Sequence, residues 1–267
     1  SDGTGRAAVV LPVPGVPTVE AIGHGDPLAY LDVATQPAPA VGSSAGGGET
    51  AGARPVDVIG RETVGGYDVA RLIAGDAAGL KNWLDQNGYT LPAGAEPILA
   101  DYIDAGWRFV AIRLAPESDG RLKPLEVGFA TDEYVYPMRL AQLGTEPVNL
   151  TLYTLADAER QVDGMTTVFA ASVDELDPQP PPELAGLFAE GSDVTRMEAL
   201  GVDPASFATD LFVNPISEQL EPAPPGAAAG TTATSDGGIS TAGVLVIIAA
   251  GLAFAIGLFL ITQPRGE

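Results

Sequence analysis

The chain has 267 residues, and its 35 Asp and Glu against 13 Lys and Arg give a formal net charge of -22. A surface of that sign repels nucleic-acid backbones, so no nucleic-acid partner is expected. There is no cysteine and a single histidine, His24, which excludes disulfides, thiolate metal centres and zinc sites with several imidazole ligands.

In chain order, residues 1–53 read as an extended arm and loop rich in Pro, Gly and Ala. The apolar opening at 7–14 carries Pro12 and Pro14, which suit an edge strand or an extended arm and forbid a central strand. His24 sits in a Gly-His-Gly-Asp turn, and 40–53 have the composition of a flexible loop.

Residues 54–218 are expected to form a globular extracytoplasmic domain. Strands at 55–59 and 67–73 should join around Gly65-Gly66. Asp76 should cap a helix that presents Leu80, Trp83 and Leu84 and stops at Asn87-Gly88. A second helix at 97–105 presents Ile98, Tyr102 and Ile103, and Gly106 ends it. A strand at 107–114 leads to a turn at Ser118-Asp119-Gly120, then strands at 125–130, 134–138 and 150–155. Strands at 166–173, 193–199 and 210–213 follow, with Pro180-Pro181-Pro182 opening a short helix before the second of these. This order predicts an α+β fold, mainly antiparallel sheet with a short helical insertion, rather than alternating βαβ units.

Residues 219–241 read as a Pro/Ala/Gly-rich stalk, and 172–221 hold eleven acids against the single base Arg196. Residues 242–261 carry no charge and no strongly polar group. As a helix they would be about 30 Å long, the thickness of a bilayer's hydrocarbon core. One C-terminal transmembrane helix is therefore predicted. Arg265 in the tail 262–267, with acids and no base between Met197 and Ser240, places that tail in the cytoplasm and the acidic domain outside. The expected localisation is the cell membrane, single-pass. The sequence opens at Ser1 without Met, so an export signal is expected to have been removed or to lie outside it. Ala249, Ala253 and Gly257 recur at four-residue spacing and form a candidate stripe for transmembrane helix packing.

Several segments together resemble a bacterial family of exported domains known only as a domain of unknown function. They are Leu11-Pro12-Val13-Pro14, LAYLDVATQP at 28–37, VDVIGRETVGGYDV at 56–69 and LKNWLDQNGYTL at 80–91. YIDAGWRFVAIRL at 102–114, Lys123-Pro124-Leu125, YVYPMRL at 134–140, Val194-Thr195-Arg196 and Thr209-Asp210-Leu211 complete the set. Members of that family often carry cysteines near the N-terminus, and this chain has none. The resemblance implies an exported domain with a C-terminal membrane tether. It carries no catalytic motif and implies no activity.

Motifs for chemistry are sparse. With Lys81 and Lys123 the sole lysines, no GxxxxGK[ST] phosphate loop exists, and there is no GxGxxG fingerprint. Asp85-Gln86-Asn87-Gly88 resembles part of an EF-hand loop but reads better as a helix stop. Asp101 with Asp104, and Asp132 with Glu133, are carboxylate pairs of the kind chance supplies among 35 acids. Trp83, Trp107, Tyr134 and Tyr136 read first as core and second as walls of a groove, and Arg108, Arg113 and Arg139 as internal ion-pair partners. No catalytic, cofactor-binding or metal-ligating residue is assigned, and no cofactor is expected.

The function these features favour is a non-catalytic accessory or structural subunit of a membrane complex, such as a respiratory or photosynthetic one. Its partners would be other integral membrane subunits, with the acidic domain covering their outer face. The alternative is a free-standing binding module for a cation, a glycan or a basic protein, and a carboxylate-based hydrolase comes third.

Overall fold

The computed structural model describes residues 8–22, 25–36, 56–89, 91–115, 123–188, 190–216, 243–251 and 254–262, the last two spans as backbone. His24, the turn at Ser118-Asp119-Gly120, the loop 40–53, the whole stalk 219–241, Ala253 and the tail beyond Thr262 lie outside the described residues.

Strands β1 (Ala8–Val13) and β2 (Thr18–Ala21) precede helix α1 (Pro27–Ala34). Next come β3 (Asp57–Val64), β4 (Tyr67–Ile73), α2 (Ala77–Gln86), α3 (Ala95–Asp104) and β5 (Arg108–Leu114). β6 (Leu125–Ala130), β7 (Val135–Tyr136), β8 (Val148–Ala156), β9 (Arg160–Val162) and β10 (Thr166–Ser172) follow. β11 (Asp193–Val202), β12 (Leu211–Pro215), β13 (Gly243–Gly251) and β14 (Phe254–Thr262) close the series. The fold is α+β, and apart from the parallel β8–β14 pair every strand pairing is antiparallel.

Three sheets are ordered β1-β5-β4-β3, β10-β11-β8-β14-β13-β6-β2 and β7-β12-β9. Alternation along β4 and β5 explains the layering. Tyr67, Val69, Val110 and Ile112 point one way, into a core shared with Leu125, Val127, Leu150 and Leu152 of the larger sheet. Ala70, Leu72, Phe109 and Ala111 point the other way, onto Leu80 and Leu84 of α2 and Leu99 of α3. On the far face of the larger sheet, Tyr153, Leu155 and Val194 receive Leu28 and Leu31 of α1. The order is thus helices, small sheet, large sheet, helix. Burying each large aliphatic side chain contributes about 1.5–3 kcal/mol, so the period-two pattern largely fixes which face of each strand turns inward.

The arm at the N-terminus is more structured than its composition suggests. β1 forms one edge of the small sheet and β2 one edge of the large one, while Asp26 caps α1 by accepting from the Leu28 and Ala29 amides at 3.0 and 3.1 Å. The short helix expected after Pro180-Pro181-Pro182 does not form. Residues 182–187 make successive turns, with the Leu184 amide donating to Pro181 and the Leu187 amide to Leu184. Such three-residue bonds are all that a prolyl-rich start and Gly186 leave available.

The C-terminal apolar run differs from its sequence expectation. Instead of one helix it forms the hairpin β13–β14, paired to β6 on one side and β8 on the other. In that hairpin Ala249 lies opposite Ile256 and Gly257 opposite Ile248. Each half is nine residues long and rich in Val, Ile, Leu and Phe, residues that suit strands, and pairing to β6 and β8 satisfies its amides and carbonyls. Among the described residues no helix is long and apolar enough to cross a membrane.

Candidate functional site

A cleft of about 450 Å³ opens where the end of α2 meets the helix-covered face of β3, β4 and β5. Local chemistry builds it. Gly65 and Gly66 take φ of 57° and 94°, the positive values a tight hairpin turn needs, and set β3 beside β4. β3 is the outer strand of its sheet, and Arg61, Glu62 and Thr63 on it line the cleft.

Helix α2 begins where the Asp76 carboxylate accepts from the Gly79 amide at 2.6 Å. It ends in a Schellman arrangement. Gly88, at φ 78°, donates to Asp85, and Tyr89 donates back to Leu84 at 2.9 Å. That stop turns the ring of Tyr89 under the helix, stacked on Trp83 at 6.0 Å and 21°. The Tyr89 hydroxyl donates to the Ala111 carbonyl at 3.3 Å. Burial pushes its pKa up, partly opposed by Arg113 and Arg61.

Two arginines flank this aromatic pair. Arg61 lies over Trp83 at 5.0 Å, and Arg113 over Tyr89 at 5.8 Å, giving a cation–aromatic–aromatic–cation row. Contacts of this type contribute about 0.5–1 kcal/mol each at exposed sites. Both guanidiniums also reach the negative end of α2. Arg113 Nη1 donates to the Asn87 carbonyl at 2.5 Å, and Arg61 Nη2 donates to Asn87 Oδ1 at 2.8 Å. Asp68 stands opposite Arg113 across β4 and β5, and its Oδ2 accepts from Nε and Nη2 at 3.2 and 3.1 Å. Glu62 is tied to Arg71 at 3.1 Å.

A second polar cluster stitches distant segments together. Asp210 Oδ1 accepts from the Tyr102 hydroxyl at 2.5 Å, the Met138 amide at 2.8 Å and the Arg139 amide at 3.1 Å. Arg139 pairs with Asp101 and lies over the Tyr102 ring at 5.3 Å, while Trp107 packs on that ring at 4.8 Å. Burial and the Asp210 carboxylate both drive the Tyr102 pKa up, so this phenol stays protonated.

The other sequence candidates fall as follows. Asp101 and Asp104 are both exposed, and the first is held by Arg139, so they do not converge on a site. Asp132 and Glu133 lie exposed on a turn. Tyr136 is buried in the central core with Tyr134 packed against it, whereas Trp83 both packs on the helical core and lines the cleft. Arg113 and Arg139 are ion-paired as expected; Arg108 instead donates to the carbonyls of Gly106 and Trp107. Among the described residues no group of three or more His, Asp or Glu could hold a metal ion. Sequence reasoning passed over Arg61. The signal for it is non-local, because it depends on which cations find acids after folding.

No curated protein and no solved structure matches this chain. Residues 1–214, which include both polar clusters, match a family described as an uncharacterized protein conserved in bacteria (DUF2330), and the chain belongs to that family.

Proposed function

We propose that this protein is a non-catalytic accessory subunit of a membrane complex, held at the membrane by residues 242–261 with its acidic domain on the extracytoplasmic side. The observation that carries the reading is the run itself, which has 20 residues without charge, acids before it and Arg265 after it. A helix across a bilayer satisfies the backbone of that run internally, as pairing with β6 and β8 does in the sheet. The two arrangements therefore compete for one segment. In the membrane arrangement Ala249, Ala253 and Gly257 face a neighbouring helix, and small side chains there allow close backbone approach.

Because the chain has no cysteine, a trap can separate the arrangements. Val127 and Val246 are register partners in the β6–β13 pair, so cysteines at both positions should crosslink where the hairpin is seated. In native membranes the expected result is no crosslink, resistance to alkaline extraction, and loss of the domain to protease added outside spheroplasts. Full crosslinking with release into the soluble fraction would overturn the tether. With the tether intact, Ala253→Leu with Gly257→Leu should reduce co-purification of the partner subunits. If the unsubstituted chain brings down no partner, the accessory reading fails.

The second reading, a binding module, has the cleft at α2 in its favour. Of the ligands considered for such a module, the net charge of -22 favours a cation or a basic protein. The chemistry of the cleft points elsewhere.

A further inference from the structure

Among the described residues, ion pairs join Arg71 to Glu62, Lys81 to Asp85, Arg113 to Asp68, Arg139 to Asp101, Arg160 to Asp157, and Arg196 to both Asp32 and Glu198. Arg61 is different. It donates to the neutral Asn87 side chain and rests on Trp83, with no carboxylate partner among the described residues. In a chain with 35 acids, a guanidinium left without one at the wall of a cleft needs a reason.

We propose that the cleft binds a small organic carboxylate, whose anionic group occupies the position beside Arg61 that a protein acid occupies beside the other paired cations. The inference rests on the binding-module reading and reverses the sign of ligand that the net charge suggests. It involves none of residues 242–261.

Three features carry it. The cleft, at about 450 Å³, has the size of a small-molecule site, since these run from about 300 to 1,000 Å³. Its two acids are already engaged, Glu62 by Arg71 and Asp68 by Arg113, so Arg61 is the surplus charge within it. Its Nη2 gives one N–H to Asn87 and keeps a second, which with the neighbouring N–H of the guanidinium can complete a fork on a carboxylate. Trp83 and Tyr89 supply apolar wall for the body of the ligand.

The overall negative charge does not forbid this. At physiological salt exposed charges are screened beyond about 8 Å, whereas a contact at 4 Å gains about 1 kcal/mol in water and about 4 kcal/mol near a protein surface. The short-range contact decides.

The test uses the full chain in detergent, with cyclohexanecarboxylate as probe and cyclohexanecarboxamide as its neutral counterpart. The chain has two tryptophans, so Trp107→Phe leaves Trp83 as the reporting fluorophore, and calorimetry on the unsubstituted chain guards against a folding defect in that variant. The expected result is a saturable response to the carboxylate and none to the amide. Arg61→Gln should weaken binding about 10- to 100-fold, the value of one charge-assisted hydrogen bond, and Arg61→Lys should recover part of the loss. Arg108→Gln, remote from the cleft, should leave it unchanged. Equal binding of the amide, no saturation, or an Arg61→Gln chain that binds normally would overturn the proposal. Saturable binding of oligolysine or a neutral oligosaccharide, unaffected by Arg61→Gln and without carboxylate binding, would keep the binding module and reject this ligand. Failure of all the probes would reject both.

Discussion

The two polar clusters of this protein use the same kinds of side chain to opposite ends. Around Asp210, one carboxylate oxygen takes three donors from two distant segments, and the neighbouring arginine is paired to Asp101. Around Arg61, a cation is held in place by a neutral amide and an indole. The first cluster is closed and serves to join α3, the turn after β7 and the start of β12. The second is open. The difference separates two uses of the same side chains: pairing that joins segments, and a cation held at the wall of a cleft by neutral groups.

The comparison is broken most directly at Asp210. Asp210→Ala removes the acceptor of three hydrogen bonds and strands the Tyr102 hydroxyl and two backbone amides. The expected loss is about 3 kcal/mol, since bonds to a charged acceptor contribute about 1.5–3 kcal/mol and unsatisfied donors add their own cost. Chemical denaturation measures it. A loss below about 1 kcal/mol would mean that water replaces the carboxylate and that the cluster does not hold the segments together. Arg61→Gln should by contrast change stability by no more than about 1 kcal/mol, because one cation–aromatic contact and one exposed hydrogen bond are at stake.

Alkaline pH sharpens the same contrast through the phenols. Burial raises the pKa of Tyr136 to about 12 and that of Tyr153 to about 12, and Tyr102 is raised further by Asp210. Unfolded phenols titrate near 10. The folded state therefore holds protons that the unfolded state releases, and stability present below about pH 10 is lost as pH rises toward the folded values. Unfolding and phenolate absorbance at 295 nm should rise together in one step. Gradual ionisation of all the tyrosines before any unfolding would contradict the burial of Tyr102 and Tyr136.

How much of this was legible beforehand depended on whether the cause was local. The Gly65-Gly66 turn, the Asp76 cap and the Asn87-Gly88 stop all follow from the conformational habits of residues a few positions apart, and all are found. β6 was read to the residue, because Leu125, Val127 and Phe129 alternate with partly solvated or small neighbours. α1 went unread although Asp26-Pro27 is a helix-start signal, since the surrounding Gly and Pro dominated the composition. β9 has three residues, too few for any period to show. The cleft divides the same way. Trp83 and Arg113 were singled out by type, yet the partner of Arg113 lies 45 positions away, and no local rule pairs them. Arg61 escapes a local rule for the same reason: that it lines a cleft with no carboxylate partner among the described residues shows only after the sheet has formed.

The smallest expected effect lies where like charges oppose each other and bears on the hairpin as well. Glu20 and Glu126 are register partners across β2 and β6, and burial first, then the Glu20 charge, raises the Glu126 pKa. With the folded value above the unfolded one, the folded state binds the extra proton. Its stability falls as pH rises through the carboxylate range and recovers as pH is lowered again. Glu126→Gln should therefore stabilise the domain at neutral pH, by only a few tenths of a kcal/mol because the group is half-buried and its charge partly screened. On its other side Glu126 is paired in register with Ile247 of β13, whose backbone closes that edge of β6. If residues 242–261 leave the sheet for a bilayer, that edge opens, solvent reaches Glu126, and the gain from Glu126→Gln should shrink. Thermal unfolding of both chains, with and without the segment beyond residue 241, measures the difference. A gain that is the same in both would show that β13 does not close that edge of β6 in solution, and would favour the membrane arrangement of the apolar run.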